Sequence, residues 1–187
     1  TVVLSTQHTA DIAQDQLYDF IMENVIRPTI DPKLLDDATK YFINPSGSFI
    51  VGGPQGDSGT TGRKIVVDSY GGYAPIGGGC FSSKDPTKVD RSAAYYARYV
   101  CRNVVANHLA HKCQLELAYA IGQSEPASIN VKTFHTGIYD EEKLLCIILK
   151  NFDFSVANMI EELQLCRPIY ASTVNYGHFG KPNLPWE

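Results

Sequence analysis

"QLELAYAIGQSEPASINVKTF", Gln114 to Phe134, holds two runs in which polar and apolar residues alternate. Leu115, Leu117 and Tyr119 share one side of the first run, and Ile129 and Val131 share one side of the second. A period of two predicts half-buried strands, and "QSEP" between them reads as the turn of an antiparallel hairpin. A hairpin with one apolar face needs a cover, and the flanking sequence offers helices on both sides. Upstream, a cap-like Asp85-Pro86 precedes Val89, Ala93, Ala97, Val100, Val104 and Leu109, the apolar positions of one long helix. Downstream, helices are predicted near Glu141–Lys150 and Val156–Gln164, followed by the aromatic tail "YGHFGKPNLPWE". Toward the N-terminus, "RKIVVDSYGG" reads as a strand, and "KYFINPSGSFIVGG" as strand, turn, strand, with Pro45 and Gly47 at the second and fourth turn positions. Thr9 is placed to cap a helix carrying Ile12, Leu17, Ile21 and Val25 and ending near Pro28, and "TVVLST" is a β-branched strand. The order β-α-β-β-β-α-β-β-α-α predicts an α+β fold whose antiparallel or mixed sheets are covered by helices on one face.

The 187 residues suffice for one ordinary domain or two small ones, and 44% hydrophobic with 19% charged residues fits a chain that buries a real core. A net charge of -4 argues against nucleic acid as the default partner. No run reads as a membrane span or a signal peptide. The five cysteines, Cys80, Cys101, Cys113, Cys146 and Cys166, are odd in number and lack a C-x-x-C spacing, which points away from a disulfide framework or zinc ribbon and toward a reducing, cytoplasmic compartment. The chain opens at Thr1 on an apolar run, as a piece of something longer would.

The chemistry gathers at glycine. "GGPQGDSGTTGRK", Gly52 to Lys64, is not a Walker A loop, because Gly62 is followed by Arg63-Lys64 rather than Lys-Ser or Lys-Thr. Taken alone it is a loop between strands. A second glycine run, "GGGCFSSKDPTKVD", follows. From Arg63 to Arg91 five cations (Arg63, Lys64, Lys84, Lys88, Arg91) face three acids, a balance of +2 in a chain whose remainder carries -6. Exposed backbone N–H groups beside converging Lys and Arg are what a polyphosphate requires. Asp57 and Asp90 would then suit a hard cation such as magnesium, which binds through one or two carboxylates plus phosphate oxygens. The competing reading is a solvated helix start decorated with Lys84, Asp85, Lys88 and Asp90. His108-x-x-His111-x-Cys113 lacks a fourth ligand and falls where the long helix should end. No Ser/His/Asp triad shows a spacing signal, and the tyrosines of "AAYYARYV" read as helix packing. Phe49 is either a core strand residue or a ring that stacks on a base.

"GGPQGDSGTTGRKIVVDSYGG", "GGGCFSSKDPTKVDRSAAYYARYV", "YAIGQSEP" and "YGHFG…PWE" together resemble the C-terminal half of the S-adenosylmethionine synthetase (methionine adenosyltransferase) family, over essentially the whole chain. The resemblance implies a three-domain protein of β-α-β-β-α-β repeats, here with residues 1–48 in the central and connecting region, 49–187 as the C-terminal domain, and the N-terminal domain absent. It implies a homodimer or dimer of dimers with active sites between subunits, and a reaction joining ATP to L-methionine with Mg2+ and K+, releasing pyrophosphate and phosphate. Nothing here matches the family's early "GHPDK" and "GDQG" segments, so the chain is expected to supply about half of a site.

Position by position, Asp57 resembles an aspartate that contacts methionine and nucleotide. Arg63 and Lys64 resemble the pair that grips the triphosphate, and Lys84 another triphosphate lysine. Lys88 resembles a lysine near methionine and phosphate, and Asp90 an aspartate at magnesium. Phe49 resembles the adenine-stacking aromatic and Ile121 an apolar wall of the same site, expected on neighbouring strands. Ser48 stands where many members have arginine at a nucleotide contact. Cys80 and Ser83 replace the usual alanine and glycine of "GGGAFSGKD", Cys80 at a backbone contact to ATP and Ser83 where it would tighten the loop. The alternatives are a non-catalytic regulatory subunit of the same fold or another nucleotide-triphosphate transferase.

Overall fold

The structure is a computed structural model describing residues 1–187. The chain divides into two compact units, Thr1–Gly59 and Thr60–Glu187, and each has its own apolar core.

In the first unit, β1 (Val2–Leu4) pairs in parallel with β2 (Tyr41–Ile43), in the register Val2↔Tyr41, Val3↔Phe42, Leu4↔Ile43. Alternation sends Val2, Leu4, Tyr41 and Ile43 toward Leu17, Ile21 and Ile26 of the intervening helix and leaves Val3 and Phe42 outward. That helix starts as α1 (Gln14–Ile21), widens into a π turn over Met22–Ile26, and closes with α2 (Arg27–Thr29). The wide turn sits just before Pro28, whose ring would meet the Asn24 carbonyl in a regular α-helix. Thr9 does not cap it: the helix begins at Gln14, and the Gln16 side chain accepts from Ala13 N–H at 3.3 Å.

The turn after β2 forms as read, with Gly47 N–H donating to the Asn44 carbonyl at 2.9 Å. Buried Asn44 continues the ladder with its side chain, accepting from Thr6 N–H (2.8 Å) and donating to the Thr6 carbonyl (2.9 Å). The strand expected at "FIVGG" is absent. Its carbonyls are bonded to the incoming chain instead: His8 N–H donates to Phe49 O (2.9 Å) and Gln7 Nε2 to Ile50 O (2.8 Å). A single turn of helix, α3 (Gly53–Gly56), follows.

In the second unit the strand expected at "RKIVVDSYGG" is also absent, replaced by α4 (Ile65–Asp68). Its β-branched residues join no sheet, and Ser69 Oγ donates back to the Ile65 carbonyl at 2.7 Å. The long helix is α5 (Val89–Ala106). Asp85 does not cap it. It holds the preceding turn, accepting from Thr87 N–H (2.9 Å), and Lys88 takes the cap position.

The hairpin forms as β3 (Gln114–Tyr119) and β4 (Pro126–Lys132), antiparallel, with Leu115 opposite Val131, Leu117 opposite Ile129, and a bulge at Ala118/Tyr119. Its apolar face and α5 share one core with α6 (Glu141–Asn151) and α7 (Val156–Glu162). Both helices are capped by side chains, Asp140 accepting from Lys143 N–H and Ser155 from Asn158 N–H. Leu144, Ile148, Met159 and Leu163 are buried there, each worth about 1.5–3 kcal/mol. Tyr95 and Tyr96 of "AAYYARYV" are fully buried, so they pack as expected. The fold is α+β, with one parallel and one antiparallel two-stranded sheet.

Candidate functional site

Three pieces of the second unit meet around the cations: the turn at Gly62–Lys64, the loop Gly77–Lys84, and the first turn of α5. Glycine is what lets them meet. Gly62 has φ 74°, and a Cβ there would overlap the Cys80 side chain. A Cβ at Gly79 would fall on the Asp90 carboxylate. The two glycine loops therefore touch through Gly62 and Cys80, and the second touches α5 through Gly79 and Asp90.

Lys84 Nζ lies 2.5 Å from Asp90 Oδ2, with the lysine side chain 25% and the aspartate 51% exposed. The hydrogen bond to Asp90 holds the lysine above its usual pKa. Lys88 points elsewhere: its Nζ is 3.5 Å from Asp85 Oδ2 and donates to Thr87 Oγ1 at 3.2 Å. Arg63 and Lys64 are exposed and form no ion pair. Asp90 sits in the first turn of an 18-residue helix, whose dipole favours negative charge at that end.

The turn that carries Lys84 is strained. Ser83 has φ 71°, in the left-handed region that costs a non-glycine residue roughly 1–2 kcal/mol. Two residues that sequence reasoning did not assign hold it. Arg91, 6% exposed, donates from Nη1 to the Lys84 carbonyl (2.8 Å) and from Nε to Tyr95 Oη (3.0 Å), with its Cζ 4.0 Å from the Tyr170 ring centre. His178 lies 2.6 Å from Tyr95 Oη through Nδ1 and 3.5 Å from Ser82 Oγ through Nε2. Because the Tyr95 hydroxyl already accepts from Arg91, its proton goes to Nδ1, which leaves the His178 proton on Nε2, facing Ser82. Burial, and then the charge of Arg91, push His178 down to about 4. The available signals were the spacing of Arg91 and Tyr95, four apart on one helix, and the tail motif "YGHFG".

Ser48, Phe49 and Asp57 belong to the first unit. Ser48 and Asp57 are exposed, with Asp57 at the end of α3. Phe49 is half-buried, its ring against Gly52 and its N–H donating to His8 Nε2 at 3.0 Å. It lies on no strand, contrary to expectation, because its backbone is bonded to Gln7–His8 rather than to a ladder. Ile121 is fully exposed and sits not on a strand but in the β3–β4 turn, where Gly122 adopts φ 85°. The bulge at Ala118/Tyr119 ends the pairing before Ile121.

The α+β fold thus sets glycine loops against the Lys84–Asp90 pair at the N-terminus of α5. The chain matches the S-adenosylmethionine synthetase C-terminal domain over residues 51–187 and the central domain of the same protein over residues 1–49. It belongs to the S-adenosylmethionine synthetase family. Aligned along its whole length, it is 57% identical to the S-adenosylmethionine synthase of Staphylococcus epidermidis, covering 47% of that protein, and 56% identical to that of Deinococcus radiodurans, covering 46%. The chain thus spans about half the length of these relatives. No helix is long and apolar enough to cross a membrane.

Proposed function

We propose that the chain is the central and C-terminal part of a methionine adenosyltransferase, with the domain boundary near residues 48/49, the β-α-β-β-α-β repeat design of its family, and about half of each active site. Family membership along the whole length carries this reading, and the glycine-backed Lys84–Asp90 pair supports it. The substrates are ATP and L-methionine. Methionine sulfur is neutral and nucleophilic. Its lone pair attacks the ribose C5′, the C–S bond forms, the C5′–O bond breaks, and triphosphate leaves. Water then cleaves triphosphate to pyrophosphate and phosphate. No general base is needed for the first step, so rate comes from positioning and from cations that meet the leaving group's charge.

Arg63, Lys64 and Lys84 meet the triphosphate, while Lys88 releases Asp85 to reach methionine and phosphate. Asp57 contacts methionine and nucleotide. Phe49 stacks on adenine and Ile121 lines its pocket, with Ser48 and Cys80 as neighbouring contacts. Gly79 packs on the Asp90 carboxylate where any Cβ would overlap it, and Lys84 meets Oδ2. The half-exposed carboxylate would suit magnesium held by one carboxylate plus phosphate oxygens once Lys84 turns to the triphosphate. Bound magnesium supplies charge neutralisation for the triphosphate. Potassium is carried over from the family, with no residue of this chain assigned to it. The complete enzyme works in the cytoplasm as a homodimer or dimer of dimers, with no nucleic-acid or membrane partner.

The test is product analysis with ATP and labelled methionine. The chain alone is expected to form no S-adenosylmethionine, and adding the N-terminal half of a relative should restore some. Full activity of the 187 residues alone would refute the half-site reading.

A further inference from the structure

Arg91 follows Asp90 in sequence but turns the opposite way, into the core, where it forms no ion pair. A buried guanidinium without a carboxylate is costly to desolvate, so a stability role explains it poorly. Its partners are a hydroxyl, a carbonyl and an aromatic face: Tyr95, Lys84 and Tyr170. The rigid fork of arginine fixes the first two relative to each other, which the single ammonium of lysine cannot do. The second pin, His178 on Ser82, shares the Tyr95 hydroxyl with the first and is anchored besides through its own backbone. Its backbone N–H donates to the Asp68 carbonyl (2.8 Å), and its carbonyl accepts from Trp186 Nε1 (2.9 Å). The Ser82–Lys84 turn is thus held at both ends around a left-handed residue, and strained conformations of this kind persist only where the surroundings over-determine them.

We propose that Arg91 is the positioning residue for Lys84: oriented by Tyr95 and Tyr170, it grips the Lys84 carbonyl and so sets the turn that aims the lysine at Asp90. The proposal rests on reading Lys84 as a triphosphate cation. Arg91 touches no substrate and acts through Lys84 alone.

The experiment compares K84M, R91K, Y95F and K84M/R91K in the complete enzyme that contains this chain, measuring kcat, both KM values and Tm. K84M should lower kcat on the order of a hundredfold or more. R91K should lower kcat roughly tenfold to a hundredfold, the cost of a small displacement at a reacting site, with the methionine KM unchanged. Y95F keeps the ring in place and should give a smaller loss of the same kind. The double variant should be no slower than K84M, since Arg91 has nothing left to aim. A purely structural role would lower Tm equally in both backgrounds and leave kcat per folded molecule at the wild-type value, and that result overturns the proposal. Should R91K fail to fold, wild-type kcat in folded Y95F overturns it as well. If K84M keeps full turnover, or the wild type makes no S-adenosylmethionine, the proposed function itself falls. K84M inactive with R91K at the wild-type rate refutes the positioning role alone.

Discussion

Ser83 sits between two pins with a left-handed backbone, at a position where glycine would meet no penalty. Ser83→Gly should therefore stabilise the fold by about 1 kcal/mol, read as a rise in the urea midpoint with the m-value unchanged. A fall would mean that the hydroxyl makes a compensating bond. The sequence shows at residue scale where side chains are unwelcome, because glycine has few other reasons to cluster. It does not show what excludes them: Gly62 answers to Cys80 and Gly79 to Asp90, across loops whose closure no local pattern encodes. In the sequence Arg91 reads as one more cation of the loop region, because a buried arginine and an exposed one look alike until the partner tyrosines are placed.

The elements with strict periodicity formed as expected. β3 and β4 pair in the register that their alternation demands, and α5 buries Ala93, Tyr96, Val100 and Val104 along one stripe. Two β-branched stretches did not become strands. At Ile65–Asp68 the chain closes into a helical turn, with Ser69 Oγ on the Ile65 carbonyl, and at Phe49–Val51 the hydrogen bonds go to Gln7 and His8. Strand propensity describes a fit to a sheet surface, and the sequence does not reveal whether that surface exists. The C-terminal tail is held on α5 by the Tyr95–Trp186 stack at 3.7 Å and by Glu187, which lies 2.9 Å from Arg98. His178 belongs to this contact and is neutral in the fold. Its pKa is depressed from the ordinary 6.5 to about 4, so between these values the unfolded chain binds more protons than the folded one. The resulting stability is fully present above about pH 6.5 and is lost as pH falls toward about 4, at most on the order of 3 kcal/mol. Urea midpoints from pH 7 to 4 should show this decline, and His178→Asn should flatten it.

Across the whole molecule, the resemblance carried by the glycine loops covers both units, and the two domain matches together span nearly every residue. One apolar surface has no cover. Val3 and Phe42 are register partners on the outer face of the β1–β2 sheet, 65% and 45% exposed. A face of this kind promotes association, so the chain should self-associate at micromolar concentration, and Val3→Lys with Phe42→Lys should reduce it without altering the circular dichroism spectrum. Light scattering that is unchanged by the double substitution would place the sticky surface elsewhere. The tail contact has an optical consequence as well. Trp186 is the only tryptophan in the chain and is fully buried against Tyr95, so intrinsic fluorescence excited at the red edge comes from one ring in one place. Its emission maximum should be blue-shifted while the tail is seated and should move to the red when the tail lifts, whatever the state of residues 1–59. Fluorescence and circular dichroism melting curves that fail to superimpose would then reveal two units unfolding one after the other, without any label having been introduced.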